Sequence, residues 1–274
     1  MHERAVERPK ERGAFRKLAG REYFIARRRW EWLARSREYA STLQEKPLDK
    51  SIFGHRSFLL RPLKNVEMYL QHNKVTNLRL AIERINGIVI RPGETFSIWR
   101  LVGRPTKRRG FLEGLVLHNG KIDKGIGGGL CQLGNLLYWM ALHTPLTVAE
   151  RWRHGFDVFP DINRSIPFAC GATLSYNYVD LQLKNETRDD FQIMLWLDDQ
   201  YLNGEIRSNR LTDHTYQVLE TDHLIKMQWW GGYTRHNRIW QQRVSKIDGT
   251  TDEIQVAENH AIMMYNPLLE SGSE

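Results

Sequence analysis

Apolar positions follow a helical period in three stretches of the first half of the chain and an alternating period over most of the second. Ala19, Tyr23, Ala26, Trp30 and Leu33 step by four and three residues, which draws one apolar stripe along a helix. Val75, Leu78, Ile82 and Ile85 repeat the pattern, and Asn86-Gly87 supplies a stop, because glycine readily takes the conformation that ends helices. Leu133, Leu136, Leu137 and Met140 form a third face that stops before Pro145. Between the second and third helices the pattern predicts a short strand at 88–90, a turn at Pro92-Gly93 and a strand at 95–98. A hairpin follows, in which 115–118 and 121–122 flank Asn119-Gly120.

From residue 146 the period changes to two. Strands are predicted at 146–151, 172–178, 181–183 and 191–197, then at 216–219, 224–230, 239–244, 253–256 and 260–265, with turn signals at Gly231-Gly232 and Asp248-Gly249. The sum is an α+β fold: N-terminal helices, then a mixed or antiparallel β-rich core with a glycine-rich turn into a central helix, then a β-hairpin-rich C-terminal region. The expected organisation is a basic helical arm over 1–44, a core domain over 45–210 and a β-rich extension over 211–274.

Charge sharpens the picture of the arm. Of the formal net charge of +8, the first 42 residues carry +6, with 12 Arg and Lys against 6 Glu. A basic helix with an aromatic stripe suits three uses: docking on this protein's own core, peripheral contact with an anionic membrane, or tracking a nucleic-acid backbone, the last being the least expected. No run of about 18 apolar residues marks a membrane span. No apolar segment of a secretory signal follows the charged N-terminus, so the expected location is cytoplasmic, at most peripheral at the inner membrane leaflet. Two cysteines in such a chain are expected as thiols rather than a disulfide.

The third helix begins at a segment with chemical promise. Gly125, Gly127, Gly128 and Gly129 precede Cys131, and a cysteine at a helix N-terminus is a candidate nucleophile because the helix end favours its thiolate. His154, near the end of the next predicted strand, is the candidate base, with Asp157, Asp161 or Asn163 as a third group. Gln132 and the backbone N–H groups of Gly127, Gly128 and Gly129 are candidate donors to an oxyanion. Against this stands a plainer use of the same residues, a tight glycine turn into a packed helix with a buried cysteine. The segment lacks the Gly-Lys-Ser/Thr ending of a nucleotide loop, and the chain has no CxxC, HxxxH or HExxH spacing, so neither a cofactor nor a metal is expected.

Several of these stretches together resemble the VanW family: Arg91-Pro-Gly-Glu-Thr-Phe-Ser97, Val102-Gly103, the Asn119-Gly120 hairpin, Gly125-Ile-Gly-Gly-Gly-Leu-Cys-Gln132, Leu137-Tyr138 and Ala172-Thr-Leu-Ser-Tyr176. The resemblance covers roughly residues 50 to 270. It implies an association with glycopeptide (vancomycin) resistance and cell-wall peptidoglycan, with Glu94, Thr95 and Ser97 added to the glycines as candidate binding residues. Two functions are compatible with it. One is a thiol-dependent hydrolase or acyl transferase on peptidoglycan-type peptides; the other is a non-catalytic accessory module that binds a wall precursor or an envelope partner. Many longer members of that family carry an acidic residue just before the Ala-Thr-x-Ser-Tyr motif. This chain has Ala169-Cys170-Gly171 there, which puts a full triad in doubt.

Overall fold

The structure is a computed structural model that describes residues 13–60, 67–118, 120–158 and 166–267. Asn119 of the predicted hairpin turn, and the third-group candidates Asp161 and Asn163, lie outside the described residues. In chain order the first elements are α1 (Ala14–Ala34), β1 (Thr42–Leu43), β2 (Lys50–Phe58), α2 (Met68–Ile85), β3 (Ile88–Ile90) and β4 (Thr95–Ser97). Next come α3 (Ile98–Val102), β5 (Glu113–His118), β6 (Lys121–Ile126), α4 (Cys131–Ala141), β7 (Thr147–Glu150) and β8 (Phe156–Asp157). The rest is strand: β9 (Gln182–Lys184), β10 (Phe191–Leu197), β11 (Tyr201–Ser208), β12 (His214–Met227), β13 (Tyr233–Ser245) and β14 (Thr251–Met263). The fold is α+β.

Helix α4 is central because it is apolar almost all round: Leu133, Leu136, Leu137, Tyr138 and Met140 are all buried. It lies on a five-stranded sheet of order β1-β3-β10-β11-β2. The contact is close because β11 presents Gly204 there, where a Cβ would come within 2.7 Å of Met140 Cε. Helix α2 places Leu78, Ala81, Ile82 and Ile85 in the same core. A three-stranded sheet (β4-β9-β7) and the β5–β6 hairpin flank it. The C-terminal strands form a four-stranded sheet, β12-β13-β14-β8, whose Ile239 joins the main core. β8 pairs parallel with the far end of β14, Phe156 opposite Ile262 and Asp157 opposite Met263.

Several elements differ from the sequence expectation. The short strands expected over 216–230 and 253–265 are each part of one long strand, β12 and β14, with a register shift between Thr221 and Leu224 in β12. Strands β2 and β11 were not predicted. Residues 172–178 are not a strand: Ala172 N–H donates to Asn135 Oδ1 (2.9 Å), Thr173 N–H to Trp152 O (2.8 Å) and Leu174 N–H to Cys131 Sγ (3.5 Å). These partners, two of them side chains of α4, replace a ladder. The stripe of α1 is also not docked. Tyr23, Trp30 and Leu33 are exposed, and the side that meets the body carries Ile25, Arg28 and Trp32.

Candidate functional site

The chain passes from β6 into α4 through Gly127, Gly128 and Gly129, and the need for glycine there is steric. A Cβ on Gly128 would collide with the backbone of Gly114, and Gly129 combines a φ of +91° with a Lys74 side chain where its Cβ would stand. Helix α2 holds the same turn through Asn77, which is wholly buried. Asn77 donates to Leu112 O (3.0 Å) and Gly128 O (2.9 Å) and accepts from Leu112 N–H (2.8 Å). The N–H groups of Gly127, Gly128 and Gly129 donate to Leu112 O, Gly125 O and Leu115 O at 3.0, 3.0 and 2.9 Å. The expectation that they face an oxyanion is corrected on that geometry: all three are engaged inside the fold.

Cys131 opens α4 with its sulfur against Leu174, accepting from the Leu174 N–H at 3.5 Å and reaching Leu174 O at 3.8 Å. Burial pushes the thiol pKa up; the Leu174 hydrogen bond and the charge of Arg153 pull the other way with smaller effect. Gln132 donates through Nε2 to Ser57 Oγ (3.0 Å) and Phe58 O (2.7 Å), which pins the start of α4 to the end of β2 and engages the amide expected at an oxyanion. His154 makes no hydrogen bond among the described residues. Burial, with Arg153 adding to it, lowers its pKa to about 4, so it is neutral at pH 7. No hydrogen bond joins it to Cys131.

Asp157 faces the C-terminal sheet, accepting from Tyr265 OH at 2.9 Å and pairing with Arg235 at 3.5 Å. Thiol, imidazole and carboxylate are therefore not linked among the described residues. The departure at Gly171 also has a local cause, since a side chain there would run into Asn135 Oδ1, the atom that receives the Ala172 N–H. Cys170 is buried in the main core, and no disulfide joins it to Cys131.

Glu94, Thr95 and Ser97 serve a different neighbourhood. Glu94 Oε2 accepts from the Arg91 N–H at 2.9 Å and closes the turn, while Thr95 pairs with Lys184. Ser97 caps α3 and donates to Asp180 Oδ2 at 2.5 Å. Asp180 is wholly buried, and its carboxylate also accepts from the N–H groups of Trp99 (3.2 Å) and Leu181 (2.9 Å). Burial raises its pKa to about 7, and the charge of Glu150 adds to the rise. Arg28 of α1 reaches into this cluster, 2.7 Å from Glu150 and 3.8 Å from Asp180. Sequence reasoning missed Arg28, Glu150 and Asp180 as a unit because they lie far apart in the chain. An aspartate directly before the apolar Leu181 and Leu183 was the one available signal.

A trough of about 500 Å³ crosses the sheet. Arg56 and Trp196 flank Asn203 across the ladder on the face opposite α4; Glu205 continues that row, and Gly54 leaves the floor low. Trp196 is half exposed, and the Arg56 guanidinium stands 4.4 Å from the Tyr201 ring centre. Among the described residues no three His, Cys, Asp or Glu side chains group as metal ligands.

These features define an α+β protein built on a helix that starts from a glycine turn and is held by the backbone N–H groups of Ala172 and Leu174. A family model described as VanW like protein matches residues 73–207, which run from α2 into β11. The vancomycin B-type resistance protein VanW of Enterococcus faecalis is 34% identical over 233 residues, covering 85% of this chain and 84% of that protein. The uncharacterized protein YoaR of Bacillus subtilis is 28% identical over 113 residues, 40% of this chain and 35% of that one. No solved structure matches. The chain belongs to the VanW family.

Proposed function

We propose that this protein takes part in the response to vancomycin-type antibiotics as a non-catalytic module that binds a peptidoglycan precursor. The association comes from the relative named for vancomycin resistance. The observation that carries the non-catalytic reading is the setting of Cys131: the residue is half-buried, its sulfur is held by the Leu174 backbone and its pKa is raised. The surrounding glycine N–H groups are engaged as well. The trough beside Trp196 offers an aromatic face for a sugar and the Arg56 guanidinium for a carboxylate, on a floor where Asn203 is held by Asp198 and Glu205 by Arg207.

A thiol hydrolase or acyl transferase is the second reading. The positive charge of Arg153 and the Leu174 N–H, both favouring the thiolate, support it. Alkylation by iodoacetamide separates the two, with Cys170→Ser removing the other thiol. Cys131 should stay inert in the native protein from pH 6 to 8, below the ordinary thiol pKa of about 8.5, and react only in denaturant. Rapid labelling below about pH 7 that slows in His154→Ala would sink the binding reading and restore the thiol enzyme. A soluble disaccharide-pentapeptide should bind the native protein, and Trp196→Ala should weaken it about tenfold.

A further inference from the structure

Helix α1 has two unlike sides. One is fixed to the body by buried Ile25, by Trp32 on the core and by Arg28 paired with Glu150 at 2.7 Å. The other carries Phe15, Tyr23, Trp30 and Leu33, exposed by 84%, 63%, 71% and 76%, with Ala19 and Ala26 completing the row. At 3.6 residues per turn these six positions fall within an arc of about 80°. Arg16 and Arg27 lie along one edge of that arc and make no ion pair among the described residues; along the other lie Arg29, which donates to Tyr176 OH at 3.4 Å, and Glu22, which is paired with Arg21 and Arg104. Within α1 six Arg and Lys stand against two Glu.

We propose that this face lies in the plane of an anionic lipid bilayer, with the four large side chains in the headgroup and upper acyl region and the arginines on lipid phosphates. Charge complementarity selects this occupant. Tryptophan and tyrosine suit the interface, where one end is apolar and the other wet, and flanking arginines gain from anionic headgroups. A second copy of the same face would bring arginine edges against arginine edges, which like-charge repulsion opposes. The inference stands whichever use Cys131 has.

Co-sedimentation of the full chain with vesicles tests it, comparing phosphatidylcholine alone with phosphatidylcholine and phosphatidylglycerol in equal parts. Binding is expected to the anionic vesicles and to weaken as salt is raised. The double variant Trp30→Glu with Leu33→Glu, and separately Arg27→Gln with Arg29→Gln, should each weaken partitioning at least about tenfold. Both pairs are exposed, so thermal midpoints should match the parent. The proposal is overturned if the parent stays in the supernatant with anionic vesicles, or if the Trp30 and Leu33 variant sediments like the parent. It is equally overturned if the face instead supports a dimer that the same variant dissolves.

Discussion

At the scale of single residues, half-buried His154 and buried Asp180 pull stability in opposite directions with pH. His154 has a folded pKa of about 4 against its ordinary 6.5, so the stability it allows is present above 6.5 and is lost as pH falls towards about 4. Asp180 has a folded value of about 7 against 3.8, so its contribution is full below 3.8 and is lost as pH rises through about 7. Urea midpoints should therefore diverge in two windows. His154→Phe should gain on the parent as pH drops from 6.5 towards 4, and Asp180→Asn should gain on it as pH climbs from 4 to 7. A parent and variant with parallel pH profiles would show that the side chain concerned is not held as described. What the sequence revealed of the site was position and not partnership. Cys131 was rightly placed at a helix start, yet which atoms its sulfur meets depends on Leu174, 43 residues away, and on a loop that reads as a strand.

Among elements, legibility followed how one-sided each is. Helices α2 and α4 were readable because their apolar faces are continuous and their ends are marked by Asn86-Gly87 and Pro145. β2 and β11 were not, because His55 and Ser57 on the inner side of β2, and Arg56, Asn203, Glu205 and Arg207 on the outer face, blur the alternation. The stripe of α1 was readable, but periodicity reports which residues share a face and not what the face meets. Asn77 is the residue that fastens two elements together, and it sits one turn before buried Ala81 on α2. Asn77→Ala should cost roughly 1–3 kcal/mol, because the buried Gly128 O loses its donor and the part-buried Leu112 N–H and C=O lose their partners. Asn73→Ala one turn earlier, where the amide is exposed, should cost less than about 1 kcal/mol by the same urea titration.

The whole molecule is closed by its last described strand. Ala261 packs with Phe168 and Ala169, while Ile262 and Met263 pair with Phe156 and Asp157 and so hold the segment that follows His154. Deleting residues 260–274 should release that segment. Hydrogen exchange should then show amides 153–157 unprotected while α4 remains slow, and retained protection there would remove the strand end from this role. The parallel pair of β8 and β14 also bears on synthesis. About a hundred residues separate its two partners in the chain. A nascent chain can form the β5–β6 hairpin early, but residues 155–157 lack their strand partner until β14 has been made, and in the interval that segment is open to chaperones and proteases.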